Sequence, residues 1–132
     1  MADGDENPFK PEYISSWFWN IIAQAGGSRD NLRAILMRLG RDKVYRFQEE
    51  FVRASVELTD DALLRYIVPG ESEDGVTDIC HWVVSQGKQY YESVWADPQS
   101  IPRHVEGRSS EILYGVANEV YLERFGELTG IY

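Results

Sequence analysis

An all-α fold, a compact irregular bundle of about six to seven helices in a single domain, follows from three features of the sequence. Apolar residues recur at i, i+3, i+4 and i+7 through most of the chain. Each such run is bounded by a capping serine or aspartate at its start, or by glycine or proline at its end. No segment sustains the alternation of apolar and polar residues that a half-buried strand requires. With 132 residues, the chain has room for one domain. Aromatics form 13% of it, which excludes disorder for most of its length.

Residues 1–10 are polar and acidic and read as a flexible tail, leaving 11–132 as the helical domain. From Glu12, the residues Ile14, Trp17, Phe18, Ile21, Ile22 and Ala25 form one apolar stripe, stopped by Gly26-Gly27. Trp19 falls off that stripe and is expected at the core edge or a contact surface. Ser28 caps a second helix with Leu32, Ile35, Leu36 and Leu39 inward, ended by Gly40. A third runs from about Arg41 to Leu58. Its stripe is Val44, Phe47, Phe51, Ala54 and Leu58, and Tyr45, Val52 and Val56 supply a second face toward another neighbour. Asp60 or Thr59 starts a short helix to Ile67, closed by Pro69-Gly70. Ser72 caps a fifth, in which Val76, Ile79, Cys80 and Val83 face inward and Glu73 and Asp74 favour the positive end of the dipole. A sixth carries Tyr91, Val94 and Trp95 and ends at Asp97-Pro98. The last is expected from Ser109 or Ser110, with Leu113, Tyr114, Ala117, Val120, Tyr121, Phe125 and Leu128 along it.

The net charge is −9, unevenly spread: nine basic and eleven acidic side chains in residues 1–66, four and eleven in residues 67–132. An acidic protein repels a phosphate backbone, which weighs against a nucleic-acid partner. The exception is 29–46, with Arg29, Arg33, Arg38, Arg41, Lys43 and Arg46 against Asp30 and Asp42. This is either a solvated face with ordinary ion pairs or an anion-binding patch. Read as a nucleic-acid surface, it would use Arg29, Arg33, Arg41 and Arg46. A single cysteine excludes an internal disulfide and a cysteine-rich zinc module. No apolar run approaches the roughly 20 residues that span a bilayer, and Met1 to Lys10 is acidic and lacks the basic-then-apolar layout of a secretory signal. The expected location is the cytoplasm, without membrane contact.

The densest polar cluster is Ser72, Glu73, Asp74, Asp78 and His81. Asp74, Asp78 and His81 share one helix face by their i, i+4 and i, i+3 spacing. A carboxylate three residues before a histidine suits a metal when other helices add ligands, here Glu119 and Glu123. A di-metal site wants two such pairs. Only one is present, since His104 lies in a loop. The plainer reading is a serine cap with acidic dipole partners. No nucleophile elbow, phosphate-binding loop, dinucleotide fingerprint or zinc-protease helix occurs. No cofactor is implied.

Residues 72–98 read S-E-D-G-V-T-D-I-C-H-W-V-V-S-Q-G-K, then Tyr91, then Ala96-Asp97-Pro98. This resembles the central signature of a bacterial family, domain of unknown function 4240, with its pattern S-D-D-x-F-x-x-F-x-x-W-L-I-x-x-G-K/R. The family's F-W-x-x-I element resembles Phe18 to Ile22, and its last helix resembles Glu111 to Phe125. Two departures stand out. Val76 and Ile79 replace aromatics, and His81 replaces an arginine. The resemblance implies a small all-helical domain and no activity. By subtraction, the sequence is best read as a non-catalytic module that binds a basic protein through Trp19, Glu73, Asp74, Asp78, His81 and Tyr90, one form being an immunity-type protein that masks a toxin. The alternatives are a small-ligand or metal-binding module on Asp78, His81, Glu119 and Glu123, and nucleic-acid binding.

Overall fold

In the computed structural model, which describes residues 14–67, 71–107 and 109–132, helix α1 (Ser16–Ala25) starts where Ser15 Oγ accepts the Phe18 N–H. Ser15 is also the point at which α1 is fastened to α3 (Arg41–Glu57). Glu50 of α3, only 6% exposed, accepts from Ser15 N at 2.8 Å and Ser15 Oγ at 2.9 Å. Arg46, one turn earlier, donates to the same carboxylate at 2.8 Å. A carboxylate this deep is tolerable because its oxygens are partnered. Gly26, at φ 58°, supplies the left-handed residue that ends α1. The expected acidic tail and Pro69-Gly70 lie outside the described residues.

Helix α2 (Arg29–Leu36) is capped by Ser28, whose Oγ accepts the Asn31 N–H. It ends earlier than the apolar pattern predicts. Arg124 donates to the carbonyls of Leu36, at 3.1 Å, and Leu39, so a distant guanidinium takes groups that another helical turn would otherwise engage. Gly40 is the N-cap of α3. Helix α3 is central and packs against α1, α5 and α7. Phe18, Phe47 and Phe51 form an aromatic knot with centroids 4.8 to 6.2 Å apart. Trp19 belongs to this core and corrects the expectation of a contact residue. It is 4% exposed, edge-on to Phe18 and 5.1 Å from the Tyr91 ring. The core wraps round α1 beyond its main stripe because Tyr91 reaches across it, its hydroxyl donating to Ala54 O at 2.8 Å. The second α3 face is only partly covered, since Val56 is 56% exposed.

The remaining helices are α4 (Asp61–Leu64), α5 (Glu73–Ser85), α6 (Lys88–Ala96) and α7 (Val116–Phe125). Helix α4 is one turn, capped by Asp60, and stops short of the expected Ile67. Ser72 Oγ accepts the Gly75 N–H and caps α5 as predicted. The start of α7 differs most from expectation. Residues 109–115 are not helical. The carbonyls of Ile112 and Tyr114 accept from Arg29 Nη1 at 2.7 and 2.9 Å, and the Leu113 N–H donates to the buried Ser85 Oγ at 2.8 Å. Gly115, at φ 96°, then turns the chain into α7. After α7 the chain folds back as a strap. Gln48, 1% exposed, donates through Nε2 to Ile131 O at 2.9 Å, and Thr129 Oγ1 donates to Asn118 Oδ1 at 2.6 Å. Leu128, expected inward, is exposed on this strap.

The described residues thus form seven α-helices, one 3₁₀ turn at Pro98–Ser100 and no strand. No helix among them is long and apolar enough to cross a membrane. Glu50→Ala is expected to lower stability by about 2 kcal/mol, since it strands the Ser15 donors and frees Arg46. Glu50→Gln, which keeps one acceptor, is expected to cost less. Urea denaturation of the two variants measures the difference.

Candidate functional site

His81 and Tyr114 stack face to face, with centroids 3.8 Å apart and planes inclined by 4°. His81 comes from the middle of α5, and Phe51 of α3 meets its edge at 6.0 Å. Tyr114 comes from the non-helical lead-in that Arg29 and Ser85 hold in place. The pair contributes to the walls of two clefts. One, of about 400 Å³, lies between α3 and α5 and includes Val52, Val56, Thr77 and Cys80. The other, of about 440 Å³, includes Arg29, Asp78, Gly107 and Ser109. The first is largely apolar, and the second mixes polar and apolar surface and holds the charged groups of Arg29 and Asp78.

Burial lowers the His81 pKa from 6.5 to about 4, so the imidazole is neutral at neutral pH. Asp78, one turn earlier and more exposed, is shifted up, first by burial and then by repulsion from Asp74 and Glu71. Gly107 of the loop from 101 to 107 lies close against the Asp78 carboxylate, which a side chain at 107 would displace. A Cβ there would stand 2.5 Å from Asp78 Oδ2. Cys80 lies beside His81 in sequence, but burial raises its thiol to about 12 and leaves it a hydrophobe rather than a nucleophile. Glu73 and Asp74 are exposed in the first turn of α5. Tyr90 is half-buried against Trp82, edge to face at 5.6 Å, and Trp82 Nε1 donates to Glu111 at 3.0 Å.

The metal arrangement expected from Asp78, His81, Glu119 and Glu123 is not formed. Arg29 takes Glu119 at 3.2 Å and Arg33 takes Glu123. Among the described residues, no three His, Cys, Asp or Glu side chains converge as a metal site. Arg29, Arg33, Arg41 and Arg46, the alternative basic patch, form ordinary ion pairs on a solvated face. Arg41 pairs with Glu127 and donates to Tyr121 Oη at 3.0 Å. Arg46 pairs with Glu50 and lies 4.8 Å from the Trp17 ring centroid. All four guanidiniums are therefore engaged within the fold. Sequence reasoning missed Tyr114 because it placed that residue inside the last helix. Gly115 was the available signal, since a glycine there can reset the backbone before a helix begins.

The model of a family described as a protein of unknown function (DUF4240) matches residues 15–125. The chain belongs to this family. No curated protein and no solved structure matches it. The matched span in this DUF4240 member runs from the Ser15 cap to the end of α7, and so includes His81, Tyr114 and Arg29.

The His81 shift has a definite sign. The unfolded chain takes up the proton near 6.5 and the folded chain only near 4. The stabilisation is full above the unfolded value and is lost as pH falls toward the folded one. His81→Phe, which keeps a stacking ring, is expected to be less acid-sensitive than the parent by about 3 kcal/mol across this range, as read by urea unfolding at several pH values. Arg29→Met should release Tyr114, expose His81 to water and raise its pKa toward 6.5, followed by an NMR titration of the imidazole.

Proposed function

We propose that this domain is a non-catalytic protein-binding module of the cytoplasm, whose partner is basic. The observation that carries the reading is the imbalance left once internal pairs are counted. Arg29, Arg33, Arg41 and Arg46 are each matched by a glutamate. Glu73, Asp74 and Asp78 form no salt bridge among the described residues. Four of the nine basic side chains of the N-terminal half are thus paired within the molecule, while α5 presents carboxylates outward beside the second cleft. Such a surface steers a positively charged protein toward it and repels nucleic acid.

Neutralisation of a toxin is the most concrete form of this reading, since a small acidic domain can cover a basic active site. The buried, protonated thiol of Cys80 is a hydrophobe rather than a nucleophile, which supports a role without catalysis. Tyr90, half-buried against Trp82, adds an aromatic to the partner-facing set, which now excludes Trp19.

Capture from native lysate tests the proposal. The parent domain is expected to retain a basic protein at low salt and release it as salt rises. The triple variant Glu73→Lys, Asp74→Lys, Asp78→Lys is expected to retain at least tenfold less, a loss of about 1.4 kcal/mol or more. Equal recovery by parent and variant, or no recovery by the parent at any salt, rejects the reading.

A further inference from the structure

The far end of α5 meets the end of α1 in a third cleft, of about 340 Å³. Ile22 and Ala23 of the last turn of α1, with its cap Gly26 and Gly27, line one side, and Gln86, the cap of α5, lines another. A helix C-terminus concentrates roughly half a negative elementary charge, which a lysine or arginine in the last turn would offset. Neither α1 nor α5 has a basic residue there. Glu111 adds a full charge, and it is the only lining side chain ionised at neutral pH. Its Oε1 accepts from Trp82 Nε1 at 3.0 Å, which fixes the carboxylate in place. Glu111 enters no salt bridge among the described residues, whereas Glu119 and Glu123 are matched by Arg29 and Arg33. Two helix ends and a held carboxylate thus converge without a cation.

The shape of the cleft suits a long side chain. Gly26 and Gly27 have φ of 58° and 78°, and a Cβ at either would meet nothing within 4 Å, so the cap of α1 is open to close approach. Ile22 and Ala23 provide apolar surface for an aliphatic stem. Glu111 Oε2 and the Gln86 amide oxygen accept no hydrogen bond among the described residues. The lining also holds neutral N–H groups, on Gly27 and Gln86, so charge, and not the count of donors, selects the occupant.

We propose that this cleft receives an arginine side chain of the basic partner, its stem along Ile22 and Ala23 and its guanidinium between Glu111 and the ends of α1 and α5. A guanidinium presents five donors in one plane and is weakly hydrated, which fits acceptors spread over several elements. The cleft is continuous with the partner-facing Tyr90. Trp82 holds Glu111 through its indole N–H and packs edge to face against Tyr90. The inference rests on the basic-partner reading and adds a second contact, about 18 Å along α5 from Asp74.

The test titrates the isotope-labelled full chain with N-acetyl-arginine amide in about 0.15 M salt, where charges that far apart are screened from each other. Saturable shifts are expected in the amides of residues 22–27, 85–86 and 111 and in the Trp82 indole N–H. N-Acetyl-citrulline amide has the same shape without the charge and is expected to bind roughly fivefold more weakly. Glu111→Gln keeps an acceptor for Trp82, so its spectrum should remain that of the folded parent, and a similar loss is expected. The triple variant Glu73→Lys, Asp74→Lys, Asp78→Lys should bind the probe as the parent does, which separates this cleft from the acidic start of α5. The proposal is overturned if no saturable shifts occur at these residues, if the citrulline compound binds equally well, if folded Glu111→Gln binds like the parent, or if the triple variant loses the probe. None of these results depends on whether a partner is captured from lysate.

Discussion

Arg29 decides how the last third of this chain is used. Its guanidinium, at the start of α2, donates to two carbonyls 83 and 85 residues further on and to Glu119 at a separation of 90. Carbonyls bonded to an arginine are not the acceptors of a continuing helix, so Ile112 to Tyr114 stay outside α7. Ser85 completes the restraint by accepting the Leu113 N–H. Tyr114 is thereby delivered to the face of His81, and the two rings become a wall shared by both clefts. Without that restraint, apolar periodicity would favour extending α7 backwards through Leu113 and Tyr114, and the wall would have no second ring.

The charged side chains follow the same logic of register. Arg29 and Arg33 are one turn apart, as are Glu119 and Glu123, and they pair in the same order, so α2 and α7 run parallel. Glu127 continues the four-residue step and meets Arg41. Each such exposed pair contributes little to stability, typically 0–1 kcal/mol. Their effect here is on alignment and on the field outside. A basic stretch that looks like a patch in the sequence is matched across space by glutamates drawn from the acidic half. The charge asymmetry between the halves is therefore smaller on the folded surface than along the chain, except at the first turn of α5.

Features set within a few residues were legible in advance. The caps Ser28 and Ser72, and Asp60 as one of two candidates with Thr59, were legible because a cap acts two or three residues ahead of itself. The stripes of α1, α2 and α3 were legible because burial there follows helical period. Features set by a distant partner were hidden. The early end of α2 depends on Arg124, the late start of α7 on Arg29, and the burial of Trp19 on Tyr91 reaching over from α6. Val56 and Leu128 show the converse. Both satisfy the periodicity, yet both are exposed, because spacing indicates where a residue points and not whether a neighbour is there. Of the polar cluster, the cap was legible, and so was the shared face of Asp74, Asp78 and His81. The tyrosine that gives His81 its environment was not.

His81 is the residue at which these threads meet. An arginine in its place would carry a permanent charge into the wall. A histidine stacked on tyrosine and flanked by phenylalanine is instead held neutral by burial. Neutrality keeps the α3–α5 cleft free of formal charge on that side, while Asp78, one turn away, faces the second cleft and remains under the influence of its acidic neighbours. The two clefts share a wall but not a chemistry. One offers largely apolar surface, the other a carboxylate and an arginine already committed to the backbone.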